Sequence, residues 1–148
     1  MEYLAYISKT DLARKTRQVI RSVQRGQTVI IESHGQPEAA ILDMPDYYIL
    51  LAATRYHAQT PEIDLAAGLS AKALAGATAQ ERYDQVIAHY LAGAISLGRA
   101  AELLELTWAD LRLRLHRLGV PLRFAPETAD EALEDARIAE EWSGKTGK

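Results

Sequence analysis

The chain has 148 residues, 48% of them hydrophobic and 25% charged, with a formal net charge of −3 and no cysteine. That length holds one ordinary domain or two small ones, and the composition excludes wholesale disorder. The absence of cysteine excludes disulfides and thiol catalysis. No apolar run reaches the roughly 18 residues needed to span a bilayer, and the opening "MEYLAYISKT" has neither a cationic nor an apolar leader region. A cytoplasmic protein is expected.

In chain order, "LAYI" at 4–7 reads as a short strand. Ser8 opens a helix, with Asp11 completing an S-x-x-D capping box. Leu12, Val19, Ile20 and Val23 form its apolar stripe, and Gly26 supplies the stop. One continuous helix of about 18 residues, roughly 27 Å long, is predicted. "TVIIES" at 28–33 and "EAAIL" at 38–42 flank "HGQP", a hairpin signal in which Gly35 takes positive φ. "MPDYYILLAATRYH" at 44–57 is a helix with Pro45 in its first turn. The order β-α-β-β-α in so few residues leaves a marginal core, so oligomerisation is expected.

Residues 58–80 are Ala-rich with little periodicity and read as a connector. "ERYDQVIAHYLAG" then places Tyr83, Val86, Ile87, Tyr90 and Leu91 on one helical face. "SLGRAAELLEL" at 96–106 and "TWADLRLRLHRLG" at 107–119 are two short helices around a tight turn, with Thr107 and Asp110 forming another capping box. Ala100, Ala101, Leu104, Leu106, Leu111 and Leu115 fall where two such helices must pack. "VPLRF" is a candidate strand. "ETADEALEDARIAEEW" at 127–142 is an acidic amphipathic helix. The fold class expected is α+β. Its parts are 1–57 as a β-α-β-β-α domain, 58–80 as connector, 81–125 as a helix-turn-helix domain, and 126–148 as an acidic helix and tail.

Charge is unevenly distributed. Residues 8–25 carry six cations (Lys9, Arg14, Lys15, Arg17, Arg21, Arg25) against one anion, Asp11. They are not interleaved with acids as i,i+4 pairs would be. Lys9, Arg14, Lys15 and Arg17 lie toward the predicted helix N-terminus, where cations oppose the macrodipole. An external anion such as DNA phosphate would compensate. Residues 126–148 carry seven acids and three bases.

The run "YISKTDLARKTRQVIRSVQRGQTVIIESHGQPEAAILDMPDYYIL" resembles the N-terminal domain of the Phd/YefM family of type II antitoxins over residues 3 to about 56. The resemblance rests on the S-x-T-D-L helix opening, the V-x-R-G-Q close and the V-I-I-x-x-H-G-x-P-x-A-x-L hairpin. It implies a homodimer that inserts the front of its first helix into operator DNA, and a C-terminal region that neutralises a toxin. The matching positions are Lys9, Thr10, Arg14, Lys15 and Arg17, mainly as phosphate contacts. Family members often carry Arg where this chain has Ala13 and, in the hairpin, Glu32. Over residues 83–121, "Y-x-x-G-x-I-S-L-G-x-A-A-E-L-x-x-L" followed by G-V-P resembles small uncharacterised bacterial proteins encoded beside PIN-domain toxins.

These features yield a functional expectation. The chain is an antitoxin and autorepressor that binds its operator as a dimer and neutralises a ribonuclease-type toxin. Arg112 and Arg114 are the candidate DNA contacts of the second half. Leu133, Ile138 and Trp142 are the apolar anchors for a basic toxin groove. The alternative is a stand-alone transcriptional regulator, and a third reading is a protein–protein adaptor without DNA. No enzyme is expected, because His34, His57, His89 and His116 lack metal-ligand spacing and no nucleophile or phosphate-loop motif occurs. No cofactor and no metal are expected.

Overall fold

The computed structural model describes residues 4–59, 63–65, 67–122 and 137. Among them the fold is mixed α+β: one three-stranded sheet and six helices. The elements are β1 (Leu4–Ser8), α1 (Lys9–Arg14), α2 (Thr16–Gln24), β2 (Thr28–Ser33), β3 (Gln36–Ile41), α3 (Met44–His57), α4 (Ala79–Leu91), α5 (Leu97–Leu103) and α6 (Trp108–Arg117). Two compact units divide at Tyr47/Tyr48, inside α3, whereas the sequence suggested a limit at His57.

In the first unit β1 pairs parallel with β2, and β2 pairs antiparallel with β3. The helical crossover between β1 and β2 covers one sheet face. There Val19, Val23 and Val29 are buried, with Ala5, Ile7, Leu12 and Ile41 packed around them. The hairpin turn is the two-residue His34-Gly35, with φ of 52° and 75°. Positive φ at both centres is what a type I′ turn requires, and that turn matches the twist of the strands it joins. A register shift at Ile31/Glu32 accommodates Pro37, which cannot donate to a ladder and sits on the edge strand β3.

The single long helix expected over 8–25 is two helices. Lys15 leaves the helical region at φ −121°, ψ 30°, and ends α1 as it starts α2. Thr16 opens α2 beside the joint, its hydroxyl donating to the Leu12 carbonyl at 2.7 Å. Ile20, expected in the apolar stripe, is exposed. Ser8 does cap the front, accepting from the Asp11 amide at 3.1 Å, and Gly26 closes the C-terminal end at φ 105°.

The second unit is helical. The inner faces of α3 through α6 bury Ile49, Ala52, Tyr83, Val86, Ile87, Tyr90, Leu97, Ala100, Ala101, Leu104, Leu111 and Leu115 in one cluster. The positions expected to pack the two short helices are all there, with Leu106 partly buried. Helix α4 begins earlier than Glu81 because Thr78 and Glu81 close a reciprocal capping box. Within the expected connector, Leu74 is buried in the same core, so part of that segment belongs to the domain. Val120–Leu122 form no strand.

Candidate nucleic-acid interface

The break at Lys15 decides where the cations go. Arg14 closes α1, Lys15 occupies the joint, and Arg17 and Arg21 on α2 and Arg25 at its C-cap follow at i, i+4 and i+8. That spacing keeps the three arginines on one stripe, advancing roughly 6 Å per step. The five cations line an open groove of about 560 Å³ together with Gln18 and Ser22. Among the described residues, no carboxylate and no apolar side chain lines it. Among the described residues, none of the five is ion-paired.

The N-terminus of α2 adds to the positive field. Lys15 offers no side-chain cap, and the first turn holds no acid. Leading amides without a partner and two cations in the same turn raise the local potential and favour an anion. Arg21 and Arg25 lie at the other end, where the helix dipole favours cations.

Of the residues singled out from sequence, Arg14, Lys15 and Arg17 come together in this groove. Lys9 does not line it: its ammonium lies 2.6 Å from the Glu38 carboxylate on β3. Thr10 is exposed in α1. Sequence reading counted Arg21 and Arg25 among the cations but not among the DNA contacts. Their i,i+4 spacing from Arg17 was the available signal.

The second unit distributes its cations differently. Arg112 is exposed and stacks on Trp108, 5.5 Å from the ring centroid. Arg114 is only 9% exposed, and its Nε donates to Asp110 Oδ1 at 3.0 Å. It is a packed residue and not the surface contact the sequence suggested. Trp108, Ala109, Arg112, Leu113, His116 and Leu122 line a groove of about 360 Å³ on the outer face of α6. That face is mostly apolar, with Arg112 as its cation. It suits a protein contact better than a row of base edges.

Leu133, Ile138 and Trp142 lie outside the described residues. From the acidic segment Arg137 is described, and its Nη2 donates to Glu102 Oε1 at 2.7 Å. Glu102 also accepts from Arg99 Nη1 at 3.1 Å. Partial burial works to raise the Glu102 carboxyl, but hydrogen bonds and charge from Arg137 and Arg99 outweigh it and hold the group below the ordinary glutamate range.

Among the described residues no group of three or more His, Asp or Glu could hold a metal ion. No helix among them is long and apolar enough to cross a membrane. The chain matches no protein-family model, no curated protein and no solved structure.

Proposed function

We propose that this chain is a DNA-binding antitoxin and autorepressor. In this reading the first unit grips operator DNA as a homodimer, and the C-terminal region neutralises a ribonuclease-type toxin. The observation that carries it is the groove of five cations, none ion-paired among the described residues, in a chain of net charge −3. Self-repulsion among them costs stability in isolation, and a phosphate backbone relieves it. The dimer has a candidate surface in the uncovered sheet face, where Tyr6, Ile30 and Ala40 align across the three strands. Tyr6 is 61% exposed there. The toxin-binding part rests on the resemblance to Phd/YefM antitoxins and on the acidity of residues 126–148.

The test is binding of a duplex carrying the chain's own promoter, followed by fluorescence anisotropy at rising salt. The wild-type chain binds with a steep salt slope, and the triple variant Arg14→Glu, Lys15→Glu, Arg17→Glu loses promoter occupancy while remaining folded. Unchanged occupancy in that variant overturns the DNA-binding reading. For the toxin, the product of the adjacent reading frame co-purifies with the full chain but not with a chain truncated after Ala125.

A second reading, a stand-alone regulator without a toxin, draws on the apolar groove of α6. An oligomer contact there through Trp108 and Leu113 would serve a regulator equally well. Failure of every neighbouring gene product to co-purify favours it.

A further inference from the structure

We infer that the outer face of α2 enters the major groove and reads purine edges, Gln18 on an adenine and Arg21 on a neighbouring guanine. This rests on the DNA-binding proposal above and specifies which residues carry its sequence preference. At 3.6 residues per turn, Arg21 stands about 160° around the helix from both Val19 and Val23, the two residues that α2 buries. Gln18 lies about 60° from Arg21, and both are exposed. A helix that turns donors away from its own core is an element that a major groove about 12 Å wide admits. The front of α1 is a poorer reader. Its Lys9 ammonium is held by Glu38 at 2.6 Å, Asp11 stands in the same turn, and both carboxylates repel phosphate.

Chemistry selects the bases. Arg14, Lys15, Arg17 and Arg25 surround the pair and supply charge for phosphates on either side. A neutral carboxamide among five cations adds nothing to that attraction, and its oxygen accepts where phosphate has no proton to give. On a major-groove floor it has a partner. The Gln18 nitrogen donates to adenine N7 while its oxygen accepts from adenine N6, and the Arg21 fork donates to guanine N7 and O6. Both side chains are available: among the described residues no hydrogen bond or ion pair engages either one. Ser22 is not, because its hydroxyl donates to the Gln18 backbone carbonyl at 3.2 Å. Residues three apart on a helix stand about 5–6 Å apart at Cβ. Long side chains close that distance onto base pairs stacked about 3.4 Å apart.

The experiment compares the wild type with Gln18→Ala and Arg21→Ala on the promoter duplex and on a shuffled duplex of equal length. Fluorescence anisotropy gives affinity and salt slope, and circular dichroism checks the fold. Gln18→Ala removes no charge, so its salt slope stays at the wild-type value. Its promoter affinity falls by about 5- to 150-fold, and its affinity for the shuffled duplex is unchanged. Promoters carrying a 7-deazapurine at one position lose a single N7 and keep every phosphate. A 7-deazaadenine that weakens the wild type leaves Gln18→Ala unaffected, and a 7-deazaguanine that weakens the wild type leaves Arg21→Ala unaffected. The inference is overturned if Gln18→Ala weakens both duplexes equally or neither, or if the variants keep those sensitivities. It is equally overturned if no 7-deazapurine weakens the wild type, a result that stands even where a variant fails to fold. A wild type that binds neither duplex overturns the DNA-binding reading itself, a separate and visible result.

Discussion

Arg55 on α3 donates from Nη1 to Oδ2 of Asp84 on α4 at 2.6 Å, although the Asp84 side chain is only 5% exposed. Gln80 Nε2 donates to the other carboxylate oxygen at 2.9 Å and to the Tyr48 carbonyl at 3.2 Å. Together with the Tyr48 and Tyr83 rings, 5.1 Å apart, these bonds fasten α3 to α4. The two partners are not equivalent, because the Arg55 side chain is 39% exposed and can return to water. Arg55→Met strands a buried carboxylate and is expected to lower unfolding free energy by about 3 kcal/mol. Asp84→Asn keeps one acceptor, for Gln80, and frees the half-exposed Arg55 to return to water, so it costs about 1 kcal/mol. Urea titration of both variants checks the order, and the reverse order refutes it.

Glu105 occupies the turn between α5 and α6 at φ 58°. A side chain in the left-handed region is strained by about 1 kcal/mol, and glycine is not. The Arg82 guanidinium, 3.8 Å from its carboxylate, is too loose and too exposed to offset this. Glu105→Gly should therefore stabilise the protein by about 1 kcal/mol in thermal unfolding.

Gly35 makes the complementary case in the hairpin. It has φ of 75°, and no heavy atom lies within 4 Å of where a Cβ would stand. Gly35→Ala consequently meets no clash and pays the backbone term alone, about 1 to 2 kcal/mol. A larger loss in urea denaturation would mean that the turn is coupled to something beyond its own dihedrals.

Arg112 and Arg114 should separate cleanly. Arg114→Ala removes a buried guanidinium bonded to Asp110 and should cost about 1 to 3 kcal/mol of stability. Arg112→Ala exposes one face of Trp108 and should change stability by no more than about 0.5 kcal/mol. Thermal melts of the pair decide it.

Acid should loosen the contact that Glu102 makes with Arg99 and Arg137. Its carboxyl is held below the ordinary glutamate value in the fold, so the unfolded chain binds the proton more readily. The stabilisation is therefore complete above the unfolded value of about 4.3 and fades as pH falls through the lower, folded value. Melting temperatures of wild type and Glu102→Gln, followed from pH 7 to pH 3, should converge only in the acid part of that range.

The strands, the hairpin and α3 to α6 were legible because their signals are local. Positive φ at His34-Gly35, capping at Ser8 and Thr107, and leucines at helical spacing each report on a few neighbouring residues. The break at Lys15 was not legible, since neither Pro nor Gly stands near it to mark an interruption. Leu74 was hidden for a different reason: its burial depends on helices far along the chain, within a segment that has no period of its own. For the groove, the cation count was plain but its shape was not. Arg114 could have been found, because Asp110 stands four residues before it.

The aligned Tyr6, Ile30 and Ala40 bear on how the protein is handled at the bench. Leu4, another exposed residue of β1, stands at the start of the described chain. A greasy wall of this kind holds copies together more tightly as temperature rises from the cold, because apolar association is entropy-driven near 25 °C. Sedimentation at about 4 °C would therefore understate self-association through it, and runs at about 25 °C are the safer choice.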